Sequence, residues 1–309
     1  GYQNQVSYRA EVSSKVEYDF DAIRPLKGLK ASVFMGYNYL HTTDRNYLEA
    51  YQIFKYDPKS MTALQQTSLG ISENNFNRSS SLGWNLMLRP QLTYDREFGK
   101  HNVSGLFLFE RYNTYGETMT GYKKGFFSDY PVDISTGLAE SNPASGSFNH
   151  TGMASFAGRI SYAYDKRYLA ELTFRADGSY KFAPEDRWGY FPSVSAAWRL
   201  SGEDFMKDVT WTDDLKIRIS WGQSGNQTGL SDYAWVKMFS TEYYTWTEDG
   251  FDKAVPAVGS ATSIGYEDLK WETTTQTNLG IDWTMFGGRL TATVDAYYKY
   301  TDDMLMTVD

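Results

Sequence analysis

The chain has 309 residues, with 38 Asp and Glu against 30 Lys and Arg, a formal net charge of -8, and no cysteine. The missing cysteines exclude a disulfide framework and a thiolate metal site, and the negative balance argues against a nucleic-acid surface, which needs a concentrated positive field. Aromatics are abundant, with 25 Tyr, 18 Phe and 9 Trp in a chain that is polar on average, a combination that suits strands with one apolar and one wet face.

The first element sets the pattern. Val6, Tyr8, Ala10, Val12, Val16, Tyr18 and Phe20 alternate with Ser7, Arg9, Glu11, Ser13, Lys15, Glu17 and Asp19, a period of two. Such a run is long for a globular sheet and suits a tilted strand that crosses a bilayer and continues past it. The same alternation recurs at Leu29 to Tyr39, Leu82 to Tyr94 (with Pro90 a blemish in the ladder), Phe156 to Tyr164, Ala170 to Ala176, Val194 to Leu200, Leu215 to Trp221, Leu279 to Trp283 and Leu290 to Ala296. Between Val103 and Phe109 both faces are apolar and the alternation blurs. The count is about ten strands.

Link lengths alternate along most of the chain. Residues 21 to 28, 96 to 101, 165 to 167 and 285 to 288 form tight links, whereas 44 to 78, 116 to 150 and 225 to 270 are long, polar and rich in Gly, Asn and Ser. A shorter link spans 178 to 190, and Ser201 to Asp214 is a mid-length turn with room for one helical turn. Short turns on one rim and long loops on the other are the asymmetry of bacterial outer-membrane barrels, with the long loops outside the cell. Tyr18, Phe20, Tyr94, Tyr162 and Tyr164 near the short turns, and Tyr37, Tyr39, Tyr298 and Tyr300 near the long loops, read as the two aromatic girdles. The fold class is therefore all-β, an antiparallel transmembrane β-barrel segment. No run reaches the ~18 apolar residues of a spanning helix, and GYQNQVSYRA has no signal-peptide pattern, so an exported protein would start elsewhere.

Catalytic chemistry is not legible. There is no GxGxxG, Walker-type loop, HExxH or GxSxG, and the glycine-rich Gly222 to Asn226 segment reads as a strand exit. His41, His101 and His150 are scattered singly, so no metal site is expected. Asp213-Asp214 and Asp302-Asp303 are adjacent and would point to opposite faces of an extended chain, not form a dyad. Arg159, Arg175 and Asp177 fall on the wet face, where they would line a lumen, either meeting substrate or pairing with one another. In the long outer loops, Tyr122, Phe126, Phe127 and Tyr130, and Tyr233, Trp235, Tyr243, Tyr244 and Trp246, are candidates for binding substrate. Flat rings stack on sugars or grip peptide side chains, and they equally serve to pack loops onto each other. The stretch YAWVKMFSTEYYTW alternates well enough to supply an extra hairpin strand.

Four strings carry a family resemblance: FAGRISYAYDKRYLAELTFRADGSYKFAPEDRWGYFPSVSAAWRLSGEDF (156 to 205), LKIRISWGQSGNQ (215 to 227), LKWETTTQTNLGIDW (269 to 283) and RLTATVDAYYKYTDDML (289 to 305). They resemble the SusC/RagA group of TonB-linked outer-membrane transporters, chiefly over residues 150 to 309. That resemblance implies a barrel of about 22 strands closed by an N-terminal plug. It also implies import of oligosaccharides or peptides, with energy from the TonB complex and a SusD-like lipoprotein over the outer mouth. The setting would be outer-membrane lipid of a Gram-negative bacterium, with no cofactor and no enzymatic step. Residues 1 to 309 are then expected to be a partial TonB-dependent receptor β-barrel domain without signal peptide, plug or final strands. Two other readings stay open: a passive porin or structural barrel, and a soluble all-β carbohydrate-binding module whose apolar faces meet in a sandwich.

Overall fold

The computed structural model describes residues 1–65, 73–126, 133–137, 144–248 and 251–306, with side chains described for all of these except 57, 64, 65, 241, 243–248 and 251–257. Ten strands form one sheet. In chain order they are β1 (Tyr2–Asp19), β2 (Leu29–Leu48), β5 (Asn75–Phe98), β6 (His101–Lys124), β7 (Ala144–Tyr164), β8 (Tyr168–Ser179), β9 (Trp188–Arg199), β10 (Thr212–Asn226), β13 (Glu272–Met285) and β14 (Leu290–Asp302). Each lies beside its predecessor in that list. Two further hairpins, β3 (Phe54–Asp57) with β4 (Thr62–Gln65) and β11 (Met238–Glu248) with β12 (Phe251–Ser263), arise within the long links. The nine alternating runs and the blurred run from Val103 to Phe109 are thus all strands of one sheet, and the described residues hold no second large sheet with which to build a sandwich.

The long links are shorter than expected, because strands grow into them. β2 runs on to Leu48, β6 to Lys124, and β7 starts at Ala144. Hydroxyl ladders replace apolar alternation there: Ser81 bonds Thr118 at 3.0 Å and Thr120 bonds Ser79 at 3.3 Å, so a polar stretch still pairs. Tyr122 therefore sits on β6, not in a loop.

Tight turns follow from left-handed backbone. Asp165 and Lys166 take φ of 51° and 56° between β7 and β8, and Phe286, Gly287 and Gly288 take 58°, 69° and 77° between β13 and β14. Gly28 (φ 88°) has a second reason: a Cβ there would lie 2.2 Å from the Asp95 carbonyl oxygen. The mid-length link holds two 3-10 turns, Leu200–Gly202 and Asp204–Met206.

The chain divides into two compact units. The first comprises Gly1–Ser14, Met35–Met87 and Tyr112–Thr151. Its buried centre is aromatic: Tyr47 and Phe76 each have a ring centroid within 6.4 Å of Phe126. Arg78 pairs with Asp133 there at 3.6 Å. The second comprises Lys15–Phe34, Leu88–Arg111 and Gly152–Asp309, and in it the strand register sorts the side chains.

Cross-strand partners share a face. One face carries rows such as Tyr164, Tyr168, Trp198, Ile217, Ile281 and Val294, and Ile160, Leu172, Val194 and Trp221. The opposite face carries Ser161, Glu171, Ser195, Ser220, Asn278 and Tyr297, and Arg159, Thr173, Ser193, Gly222, Gln276 and Lys299. Large apolar residues are on the exposed side: Leu172, Val194, Ile219 and Leu279 are all about half exposed or more. A sheet that shows its apolar side outward is built for a medium other than water.

Candidate functional site

The polar face of the second unit holds a trough of about 810 Å³, lined by residues of β7, β8, β9, β10 and β13 with Asn102 at its margin. Its floor is small and hydroxylated because Ser193, Ser195, Ser220 and Gly222 occupy the polar phase of adjacent strands. Hydrogen bonds hold the larger groups: Ser161 donates to Glu171 at 2.7 Å, Gln276 to Asn278 at 2.7 Å, and Asn278 to Ser220 at 3.3 Å.

Toward the short turns the trough ends in an ion network centred on Arg218. Its guanidinium reaches Asp295 at 2.6 Å and Asp282 at 3.2 Å, and Lys216 reaches Asp282 at 3.0 Å. Gly280 lies directly across from Arg218, and a Cβ there would sit 2.5 Å from the guanidinium carbon. The network spans β10, β13 and β14, and cation and anion charges nearly balance in it. What the trough offers a ligand is therefore mostly neutral hydrogen-bonding groups. None of these residues stood out in the sequence, although Lys216, Arg218 and Ser220 fill the second phase of a strand read for its apolar phase.

Of the three polar-face candidates, Arg175 and Asp177 pair with each other at 2.7 Å, and Arg175 also donates to Ser155. Arg159 stands opposite Thr173, which carries no charge to pair with it, and is exposed. Among the described residues it makes no ion pair.

At the long-loop end, the same face changes character. Phe191 lies in the polar phase opposite Arg175, and its ring packs with Phe182 and Trp271 in a buried cluster. Met153, Leu230 and Leu269 extend that cluster. Gly189 and Gly225 leave the space: a Cβ on either would fall within 2.5 Å of the Phe191 ring. Loop residues then tie down over it. Trp271 donates to the Arg187 carbonyl at 3.1 Å, Lys181 to the Leu230 carbonyl at 2.6 Å, and Tyr180 to Asp232.

The loop aromatics are distributed among several roles. Tyr233 packs edge-on against Tyr180 at 5.6 Å, and Trp235 donates its indole N–H to the Tyr180 carbonyl at 3.2 Å. Phe126 belongs to the Tyr47 and Phe76 cluster, and Tyr122 is half-buried on β6. Tyr243, Tyr244 and Trp246 lie on β11, but their side chains fall outside the described residues, as do Phe127 and Tyr130 altogether.

The short-turn rim is cross-linked. Lys100 reaches Asp165 at 3.0 Å, Asp165 reaches Arg167 at 2.6 Å, and Arg167 reaches Glu203 at 2.9 Å, so three successive links are joined by one chain of charges. The Lys100 ammonium, with Arg167 behind it, holds the Asp165 carboxyl below its ordinary pKa. Hydrogen bonds to Tyr168 and Trp198, with Arg167 beside them, lower that of Glu203.

Comparison with known proteins decides the family. The family model described as TonB dependent receptor-like, beta-barrel, matches residues 2–309. The chain belongs to this family of TonB-dependent receptors. Its relatives include TonB-dependent receptor SusC of Bacteroides thetaiotaomicron, 37% identical over 160 residues, covering 50% of this chain and 15% of that protein. A TonB-dependent receptor of Formosa agariphila is 27% identical over 314 residues, covering 98% of this chain and 27% of the relative. The solved structure of the RagAB peptide transporter superposes with a TM-score of 0.78 at 23% identity, covering 99% of this chain and 31% of that one. The receptor chain thus has a TonB-dependent barrel fold of the SusC/RagA type and spans under a third of the length of these relatives. In the outer-membrane barrels of this family the polar face lines the interior and the apolar face meets lipid.

Proposed function

We propose that the complete receptor imports oligosaccharides or peptides across the outer membrane of a Gram-negative bacterium, energised by TonB and working with a SusD-like surface lipoprotein. Residues 1–309 supply part of its barrel wall and outer loops. The observation that carries this reading is the family match across 2–309 together with relatives of the SusC and RagA type. The neutral, hydroxyl- and amide-rich trough supports it, since such groups suit sugar hydroxyls and peptide amides alike. Peptide import is what the RagAB structure is described as doing, and it is one of the two substrate classes proposed for this receptor.

The rings on the apolar face support a membrane-spanning placement. Trp198, stacked on Tyr168, marks the short-turn interface, and Trp188, 5.9 Å from Phe156, marks the other. Ten residue steps along β9 separate the two tryptophans. At ~3.3 Å per residue and ~40° of tilt that is roughly 25 Å of thickness, the height of an outer-membrane apolar band.

In this reading Arg159, Arg175 and Asp177 face the lumen, and Tyr122, Phe126, Phe127, Tyr130, Tyr233, Trp235, Tyr243, Tyr244 and Trp246 form or support the substrate-contacting outer surface. The test is uptake of labelled oligosaccharides and peptides by cells with and without TonB. Active import requires that uptake of one substrate class stop when TonB is deleted; uptake that persists assigns the receptor as a passive pore.

A further inference from the structure

Six strand glycines of the second unit have an evident steric reason. At Gly178, Gly189, Gly222, Gly225, Gly259 and Gly280 a Cβ would come within 3.0 Å of a neighbouring atom. Gly105 on β6 and Gly158 on β7 differ. A Cβ on either would meet nothing nearer than 3.9 Å, and neither has a positive φ. Glycine inside a strand costs conformational entropy and side-chain packing, and it is kept where something must approach the backbone closely. At these two positions no part of the described chain does so.

The space that side chains would fill is a groove of about 390 Å³ on the apolar face. Gly105 and Gly158 form its floor, and Tyr94, Phe107, Ile160 and Phe174 are among its walls. Phe107 and Ile160 are 52% and 60% exposed, so the walls stand clear of the sheet. The groove runs toward the short-turn rim, where Arg96 follows Tyr94 by two residues on the same face of β5, about 7 Å along the strand. The Arg96 guanidinium lies 4.5 Å from the centre of the Phe98 ring and, among the described residues, makes no ion pair. His101 lies at the same rim, bonded to Tyr162 at 2.7 Å and within 5.0 Å of the Tyr164 ring, which marks the headgroup level.

We propose that this groove is a site for one anionic glycerophospholipid of the periplasmic leaflet, with an acyl chain over Gly105 and Gly158 and the phosphate on Arg96. An apolar slot continuous with the lipid-facing surface and ending at an unpaired guanidinium matches a chain joined to a phosphate. Position near the short turns selects phospholipid over lipid A, which occupies the opposite leaflet. The assignment rests on the membrane-spanning reading above. A receptor that fails to fractionate with outer membranes would overturn that reading before any lipid is measured.

The test uses the complete receptor, purified from outer membranes in mild detergent, exchanged with phosphatidylglycerol, washed, and assayed for phospholipid and lipid A per protein by mass spectrometry. The double variant Gly105→Leu/Gly158→Leu fills the slot, Arg96→Gln removes the phosphate partner, and Ala296→Leu is a control on the same apolar face away from the groove. Heat-modifiable gel mobility establishes that each variant is folded. We expect bound phosphatidylglycerol in wild type and Ala296→Leu, and a drop of about tenfold in the double variant and about threefold in Arg96→Gln. Unchanged retention in either groove variant, equal loss in the control, or lipid A as the retained species overturns the proposal.

Discussion

Phe191 shows how a single residue out of phase redirects a surface. In β9 the apolar phase is Val194, Ala196 and Trp198, so Phe191 lands on the polar side, where a ring would be costly if left in water. Phe182 and Trp271 cover it, and Gly225 gives it room. Gly225→Ala places a Cβ 2.0 Å from the ring tip and should destabilise the folded receptor by about 1 to 3 kcal/mol, read as a lower urea midpoint by tryptophan fluorescence. Gly158→Ala, with open space around it, should shift that midpoint by no more than about 0.5 kcal/mol. Equal shifts would mean that the loop cluster contributes nothing. Among the site residues, the Arg175–Asp177 pair was legible, since residues two apart on a strand share a face; that Arg159 has no ion-pair partner among the described residues was not, because its cross-strand neighbour is Thr173 in the next strand. The sequence also left open whether Tyr233 and Trp235 bind or pack, and contact with Tyr180 is made by a loop more than 50 residues away in the chain.

At the scale of elements, the strands obey one rule and the links another. Val194 and Ser195 are neighbours in β9 on opposite faces, flanked on both sides by paired strands. Val194→Arg should cost the folded barrel roughly 2 to 4 kcal/mol in lipid, whereas Ser195→Arg, beside Glu171, should be mild. Folding titrations in bilayers measure both, and equal penalties would contradict the face assignment. The short-turn links are bound by charge, with a definite pH signature. Asp165 and Glu203 titrate below their ordinary values, so their stabilisation is complete above the unfolded carboxylate pKa of about 4 and is lost as pH falls through the lower folded value. The urea midpoint should stay level from about pH 8 to 5 and fall below about pH 4. Glu203→Gln should lower the midpoint at neutral pH and flatten that acid limb; an unchanged acid limb would place the titrating groups elsewhere.

For the whole molecule, the ten-stranded sheet has β1 and β14 at its two edges, and Val12, Val16, Val294 and Tyr298 on them are well exposed. In the complete receptor proposed above those rows would continue into further strands, which would bury edges that otherwise attract non-native pairing. Substrate recognition belongs to this scale, because outer-loop rings from distant parts of the chain would have to converge. Replacing Tyr243, Tyr244 and Trp246 together by alanine in the complete receptor should reduce substrate affinity, measured as a raised half-saturation of TonB-dependent uptake, with the amount of folded receptor in the membrane unchanged. Uptake with unaltered half-saturation would remove β11 from the binding surface.

The sequence by itself determined the strands of the main sheet, the alternation of faces and most of the parity of link lengths, because a period of two and the chemistry of turns are local properties of the chain. Strand ends were less visible, since β2, β6 and β7 extend through hydroxyl-rich segments whose pairing depends on a neighbour and not on apolar rhythm. Only the tertiary structure decided which side chains of the polar phase meet: Arg218 with Asp282 and Asp295, and Lys100 through Asp165 and Arg167 to Glu203; it alone also brought the out-of-phase Phe191 against Phe182 and Trp271. Each of these joins elements far apart in the chain, and register across strands, which no single strand encodes, brings them together.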